Sequence, residues 1–345
     1  MNMKTNRMII GLAIVLVCTS CISKKYGTIT RVDRDGSLYR EIHTITSDSI
    51  LSELFPYPLS SGWEITQTDT VVNKYGSPKN EKFVKISRKF KSMDELSSGL
   101  RCDMIFPVPK ESLKKRFRWF YTYYAYTATY PEVTDKGSVP MDQYLNKAEQ
   151  KFYLQGDLSA YRGMTGMELK EELDDIEARF MEWYAQTMYE ENLGVILHFA
   201  ETDFRLKLPA AKDSVYSMNE KQMKDIPSLS DVCTMLDRYF STNHFSKVYA
   251  ENEQEMNNML DERTKVTNQL MEYEILYELT LPGKIMTSHA AVQNEGTLTW
   301  KINLFKFLAD DYILSAESRA VNIWAFAVTL LLIVFSGYCF SRVFK

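Results

Sequence analysis

The chain has 345 residues, 45% of them apolar and 13% aromatic, with a formal net charge of −4. That apolar content excludes a disordered chain, and the charge gives no reason to expect nucleic acid as a partner. With both apolar ends set aside, enough chain remains for one large domain or two small ones.

Residues 1–21 read MNMKTNRMIIGLAIVLVCTSC. Lys4 and Arg7 make a basic start, and Met8 to Val17 is an apolar run too short to span a bilayer comfortably. Thr19 and Ser20 are small residues ahead of Cys21. This stretch resembles a bacterial lipobox, which makes 1–20 a lipoprotein signal peptide and Cys21 the lipid-attachment residue; the departure is Cys18, where Leu is commonest. The alternative is an uncleaved signal anchor. Either way the body is exported. Of the other cysteines, only Cys102 and Cys233 fall in the folded part, where they could pair or stand as buried free thiols.

Gly27–Val32 and Ser37–Thr46 read as strands around Asp35-Gly36, a strong hairpin signal. In the second strand Leu38, Arg40, Ile42 and Thr44 share one face. After a loop rich in Pro and Ser, Trp63–Val72 and Phe83–Phe90 read as further strands. Ser92 and Glu95 then form a capping box for a short helix ending near Gly99. From Ser112 to Tyr130 the pattern predicts one strand dense in aromatics. Phe117, Trp119, Tyr121 and Tyr123 would lie on one face, and Phe120, Tyr124 and Tyr126 on the other. Such a strand either packs centrally in a core or lines a groove with one face. The basic residues across Lys79–Arg118 read as solvated faces, with attraction to anionic headgroups as the sharper alternative.

At Pro140 the pattern turns helical. Thr165 and Glu168 form a capping box, and Leu169, Leu173, Ile176, Phe180, Tyr184 and Met188 recur at helical spacing to about Leu197. The acidic residues between them read as a solvated face. A second box, Ser217 with Glu220, is expected to open a shorter helix; Leu229–Tyr239 and Phe245–Val266 suggest two more.

Strand alternation returns at Tyr273–Leu281, then around Trp300, and in Asp311–Arg319, read together as an antiparallel meander. Leu279-Thr-Leu-Pro-Gly283, Asn294-Glu-Gly296, Thr297-Leu-Thr-Trp300 and Leu314-Ser-Ala-Glu-Ser318 carry a resemblance to the LppM-domain family of exported, membrane-anchored bacterial lipoproteins. It covers about half the chain. The resemblance implies an α+β module that holds lipid or another amphiphile, and it implies no catalytic residue. Ala320–Phe340 is an uncharged apolar run of about 21 residues, long enough to cross a ~30 Å hydrocarbon core. Trp324 and Tyr338 stand near its ends, and Arg342 and Lys345 follow it.

The fold class expected is α+β: an antiparallel β-rich domain with a short helix, a large α-helical insertion and a C-terminal transmembrane helix. Its limits are 22–138 with 270–319 for the β-rich domain, 139–269 for the insertion, 320–341 for the transmembrane helix and 342–345 for a cytoplasmic tail. The body would stand in the periplasm at the inner membrane. No catalytic, metal or cofactor motif is found among the four histidines, His43, His198, His244 and His289, or elsewhere. The expected function is therefore non-enzymatic. The candidate ligand-lining residues are Phe117, Trp119, Tyr121, Tyr123, Tyr273, Tyr277 and Trp300. The alternative is a scaffold or assembly factor that docks an envelope protein through the helical insertion.

Overall fold

The computed structural model describes residues 24–47, 54–59, 62–74, 77–100, 108–133, 136–223 and 226–343. The signal peptide, Cys21, Cys102 and Lys345 lie outside the described residues. The chain divides into two compact units. One comprises Met1–Pro131, Glu272–Asn303 and Asp311–Lys345; the other comprises Glu132–Met271 and Leu304–Asp310.

The first unit is a pair of sheets. One is 7-stranded among the described residues, in the order β3-β4-β2-β1-β7-β10-β9. Its strands are β1 (Lys24–Val32), β2 (Leu38–Thr46), β3 (Glu64–Lys74), β4 (Ser77–Phe90), β7 (Tyr273–Thr280), β9 (Val292–Asn294) and β10 (Thr297–Asn303). The other is 4-stranded, β5 (Lys110–Arg118), β6 (Tyr121–Tyr130), β11 (Tyr312–Val321) and β8 (Lys284–Ser288). The hairpin of β1 and β2 turns at Asp35-Gly36, where Gly36 takes φ 99°, a left-handed value that glycine adopts without strain. Period-two alternation sends Leu38, Arg40, Ile42 and Thr44 of β2 into the core, with Ile275, Tyr277 and Leu279 of β7 and Leu298, Trp300 and Ile302 of β10. Tyr124, Tyr126, Ala128 and Tyr130 of β6 and Leu314, Ala316 and Ala320 of β11 are buried from the second sheet. The short helix α1 (Met93–Ser98) starts where Ser92 accepts the Glu95 N–H, and it buries Met93 and Leu96.

Three features of this unit differ from the sequence expectation. The aromatic stretch is not one strand: the chain reverses at Trp119-Phe120, so β5 and β6 form a hairpin. The last three strands do not form one meander. Between Asn303 and Tyr312 the chain passes through the second unit, so β11 pairs with β6 and β8 and not with β10. Pairing is antiparallel except between β1 and β7, which run parallel. Those two strands are not joined by a hairpin, so no short turn fixes their sense.

The second unit is helical. α2 (Gly166–Phe199) opens with the Thr165–Glu168 capping box, both halves made. It is followed by α3 (Thr202–Met218), α4 (Leu229–Phe240), α5 (His244–Arg263) and α6 (Lys265–Glu272). Ser217 does not open a helix; it lies in the last turn of α3, and the box that is made belongs to Ser228 and Asp231 at α4. The expected single helix over Phe245–Val266 departs from helical geometry at Asn252 and ends at Arg263. Its first turn is capped from another helix: the Asp237 carboxylate accepts the N–H groups of Phe245 and Ser246, each at 2.9 Å. Leu193, Ile196, Leu208, Val215, Val232, Leu236, Phe245 and Met256 form the core. Cys233 is a free thiol in this core, and burial pushes its pKa up to about 12.

Candidate functional site: the C-terminal-helix end of the two-sheet unit

β11 runs into α7 (Ile323–Val343) through a single residue, Asn322. Ile323–Arg342 is long and apolar enough to cross a membrane, and almost none of it is buried. Leu330, Leu331, Leu332, Ile333, Val334 and Phe335 are all exposed. A helix apolar on every side has the composition that a bilayer accepts as solvent.

Asn322 fixes how this helix leaves the sheet. Its side-chain amide donates to the carbonyls of Arg118 and Trp119 at 3.0 and 3.1 Å. Its Oδ1 accepts the Thr122 hydroxyl at 3.0 Å, and its backbone N–H donates to Phe120 O at 2.9 Å. The β5–β6 turn is thus held by the residue that starts the helix. Trp119 also donates from its indole to the Thr329 hydroxyl at 2.8 Å. Thr329 lies about 9 Å along the helix from its start, at 1.5 Å per residue. Phe117 stacks on Trp324 at 6.1 Å, Trp119 meets the same ring edge-on at 5.4 Å, and Phe120 packs on Phe326 at 4.6 Å. Aromatic side chains therefore ring the first two turns of the apolar helix. Trp and Tyr concentrate at this level of a membrane because one end of the ring is apolar and the other can be wet.

Deeper in the unit lies a polar centre. Arg40 is 2% exposed, and its Nη2 donates to Glu111 Oε2 at 2.6 Å and to the Tyr277 hydroxyl at 3.3 Å. Tyr126 donates to Glu111 Oε2 at 2.5 Å and lies 2.5 Å from the Tyr277 hydroxyl, which is 2.8 Å from Thr30 Oγ1. Burial, then the Glu111 carboxylate, pushes the Tyr126 phenol well above its ordinary pKa. Burial likewise raises Tyr277 and Tyr57, against the nearby Arg40 charge. Burial opposes the Arg40 charge most, but the Glu111 carboxylate and the surrounding tyrosines together outweigh it and raise the guanidinium well above its ordinary pKa. The centre ties the two sheets together by charge and hydrogen bonds.

The seven aromatic residues predicted to line a ligand site occupy different places. Phe117 and Trp119 are exposed at the α7 junction. Tyr121 and Tyr123 are half-buried on the opposite face of β6 from Tyr124 and Tyr126. Tyr273 stacks on Tyr26 at 5.8 Å, where β1 begins. Tyr277 and Trp300 are fully buried with their polar atoms satisfied, Trp300 donating to His289 O at 3.0 Å. Arg40, Glu111 and Asn322 were not predicted as site residues. Arg40 had a signal, a cation on the apolar face of β2. Asn322 had none, because its partners are about 200 residues away in sequence.

No family model matches the chain, and no curated protein matches it. Among solved structures, the chain is similar to the folded domain of the LppM protein of Mycobacterium tuberculosis, determined by NMR. The two are 7% identical, the alignment covers 87% of this chain and 91% of that one, and the TM-score is 0.27. The resemblance read from the sequence is thus met by a weak structural relationship, too slight to carry fold or function from that domain to this chain.

Proposed function

We propose that this chain is a non-enzymatic, membrane-anchored protein of a bacterial envelope that binds lipid or another amphiphile at the bilayer on which it stands. Acylated Cys21 and α7 are its two anchors, its body stands in the periplasm, and residues 342–345 face the cytoplasm. The observation that carries the reading is the unburied apolar helix continuing from β11 through one residue. A body so attached has no linker through which to swing away from the membrane. The exposed Phe117 and Trp119 beside that helix give an acyl chain an apolar surface at the bilayer edge.

The test is native mass spectrometry of the full chain purified from membranes in mild detergent. A defined number of retained lipids is expected. Release of the chain free of lipid under the gentlest conditions would remove amphiphile binding from this reading.

A second reading has its own support. The start of α2 is largely exposed, and Leu158, Met164, Met167 and Leu173 are exposed around it, Met167 at 74%. An apolar group of this kind suits a protein partner in an assembly role. Photo-crosslinking in cells from position 167 distinguishes the two: one discrete adduct supports docking, and a lipid-only or empty result withdraws it.

A further inference from the structure

We propose that the outer face of the second sheet, at its α7 end, is a binding band for the headgroups of anionic lipids. The inference rests on the membrane anchoring by α7 and adds which lipid class the protein selects and with which residues.

Strand register places the cations. Arg116 of β5 lies opposite Tyr123 of β6, Tyr123 opposite Arg319 of β11, and Arg319 opposite Lys284 of β8. Directly opposed residues point to the same face of a sheet. This row therefore presents three cations and one tyrosine across all four strands. The next row toward α7 is Arg118, Tyr121 and Val321. The row beyond, away from α7, holds Lys114, Ala125, Glu317 and Thr287. Five cations thus stand on this face beside one carboxylate, Glu317, in a chain whose net charge is −4. Arg116 is the cation that Glu317 reaches, at 3.2 Å, and its side chain stays 63% exposed. Arg319 lies over the Tyr121 ring at 4.5 Å. Lys114, Arg118, Lys284 and Arg319 have no ion pair among the described residues.

The distance from the bilayer is set by the helix. α7 starts two residues beyond Val321, and alternate residues on a strand are about 7 Å apart. The Arg118 row and the Arg116–Arg319–Lys284 row therefore stand within about two such steps of the apolar helix. The headgroup layer is roughly 5–8 Å deep on each side of the hydrocarbon, and charge is felt for another ~8–10 Å. Both rows fall within that reach. Trp119 and Phe117 on the same hairpin mark the apolar side of the boundary. Apolar helix, aromatic ring, then cations is the order a bilayer presents in reverse: hydrocarbon, interface, phosphate. A cation near an anionic bilayer strengthens binding roughly fivefold, so Arg118, Arg319 and Lys284, the cations of these two rows without an ion pair, together give on the order of a hundredfold preference over a neutral surface.

β5 is an edge strand, so its outward N–H groups have no strand partner and report contact directly. The experiment is hydrogen–deuterium exchange on the full chain in two sets of nanodiscs. One set is phosphatidylcholine alone, and the other is phosphatidylcholine mixed with phosphatidylglycerol. Peptides covering 110–120 are expected to exchange severalfold more slowly in the mixed discs. Raised salt, or the triple variant Arg118→Gln, Lys284→Gln, Arg319→Gln, should abolish the difference while exchange in β1, β2 and β7 stays unchanged. Equal exchange of the native chain in both disc types overturns the proposal, whether or not the variant folds. So does a variant that keeps the difference. So does slowing by inorganic phosphate added to the neutral discs, which would mark an anion site and not a bilayer contact. Failure of the chain to enter either disc type would instead strike at the anchoring itself.

Discussion

Arg40 and Glu111 show what a single buried pair does here. Each charge is almost fully removed from water, Arg40 at 3% and Glu111 at 1% side-chain exposure. Desolvation of each is costly, and the pair is tolerated because Tyr126 and Tyr277 complete its hydrogen bonds. Removing one partner leaves the other charge buried and uncompensated. Glu111→Ala should lower stability by about 3–5 kcal/mol in urea unfolding, whereas the double change Arg40→Met, Glu111→Leu should cost far less. The tyrosines of this centre also set an alkaline limit. Burial holds Tyr126, Tyr130 and Tyr277 protonated above the pH at which an exposed phenol ionises. Above about pH 10 the unfolded chain therefore carries fewer protons than the folded one, and stability falls as pH rises, by up to about 1.4 kcal/mol per pH unit for each phenol. Below that pH these groups contribute no slope. Tyr277→Phe should make the alkaline loss shallower, as read by unfolding midpoints between pH 9 and 11.

Elements differ in how much of their placement is local, and legibility in the sequence follows that difference. The Asp35-Gly36 hairpin and the Thr165–Glu168 box are written in adjacent residues, and both form as read. The Ser217 box has the same pattern, but α3 continues through it because Val215 is buried in the helical core. The Trp119-Phe120 turn contains no Gly, Pro, Asn or Asp. It is held by Asn322 and by the aromatic rings of α7, which no local pattern can announce. Arg40 was legible as a core-facing residue, but Glu111, 71 positions away, was not legible as its partner. Pro282-Gly283 was legible as a break and proves to be a corner, carrying the chain from β7 in one sheet to β8 in the other. Gly283 takes φ 83°, and a Cβ there would lie 2.4 Å from Arg319 O, in a corner tied to β11 by the Ser318 hydroxyl donating to Pro282 O. Gly283→Ala should cost about 1–3 kcal/mol or more and loosen the pairing of β8, detectable as faster amide exchange in residues 284–288.

For the whole molecule, the decisive relation is between the two-sheet unit and α7. A 20-residue apolar helix at 1.5 Å per residue spans about 30 Å, the thickness of the hydrocarbon core, so it has length for one crossing and little to spare. Asn322 and the aromatic ring leave no flexible segment between this helix and the sheet that carries the basic band. A bilayer that takes up α7 would therefore also fix the orientation of that unit. Replacing Asn322 by Ala should loosen the orientation without releasing the protein, while charge placed in α7 should release that anchor.

The most direct measurement is alkaline carbonate extraction of cell membranes containing the chain with residues 1–20 exchanged for a signal sequence cleaved without lipid attachment and with Cys21→Ser, which leaves α7 as the anchor. The account predicts that this protein stays in the membrane pellet, and that adding Leu331→Arg and Val334→Arg moves it to the supernatant. A Cys21→Ser chain extracted into the supernatant with α7 intact would contradict it.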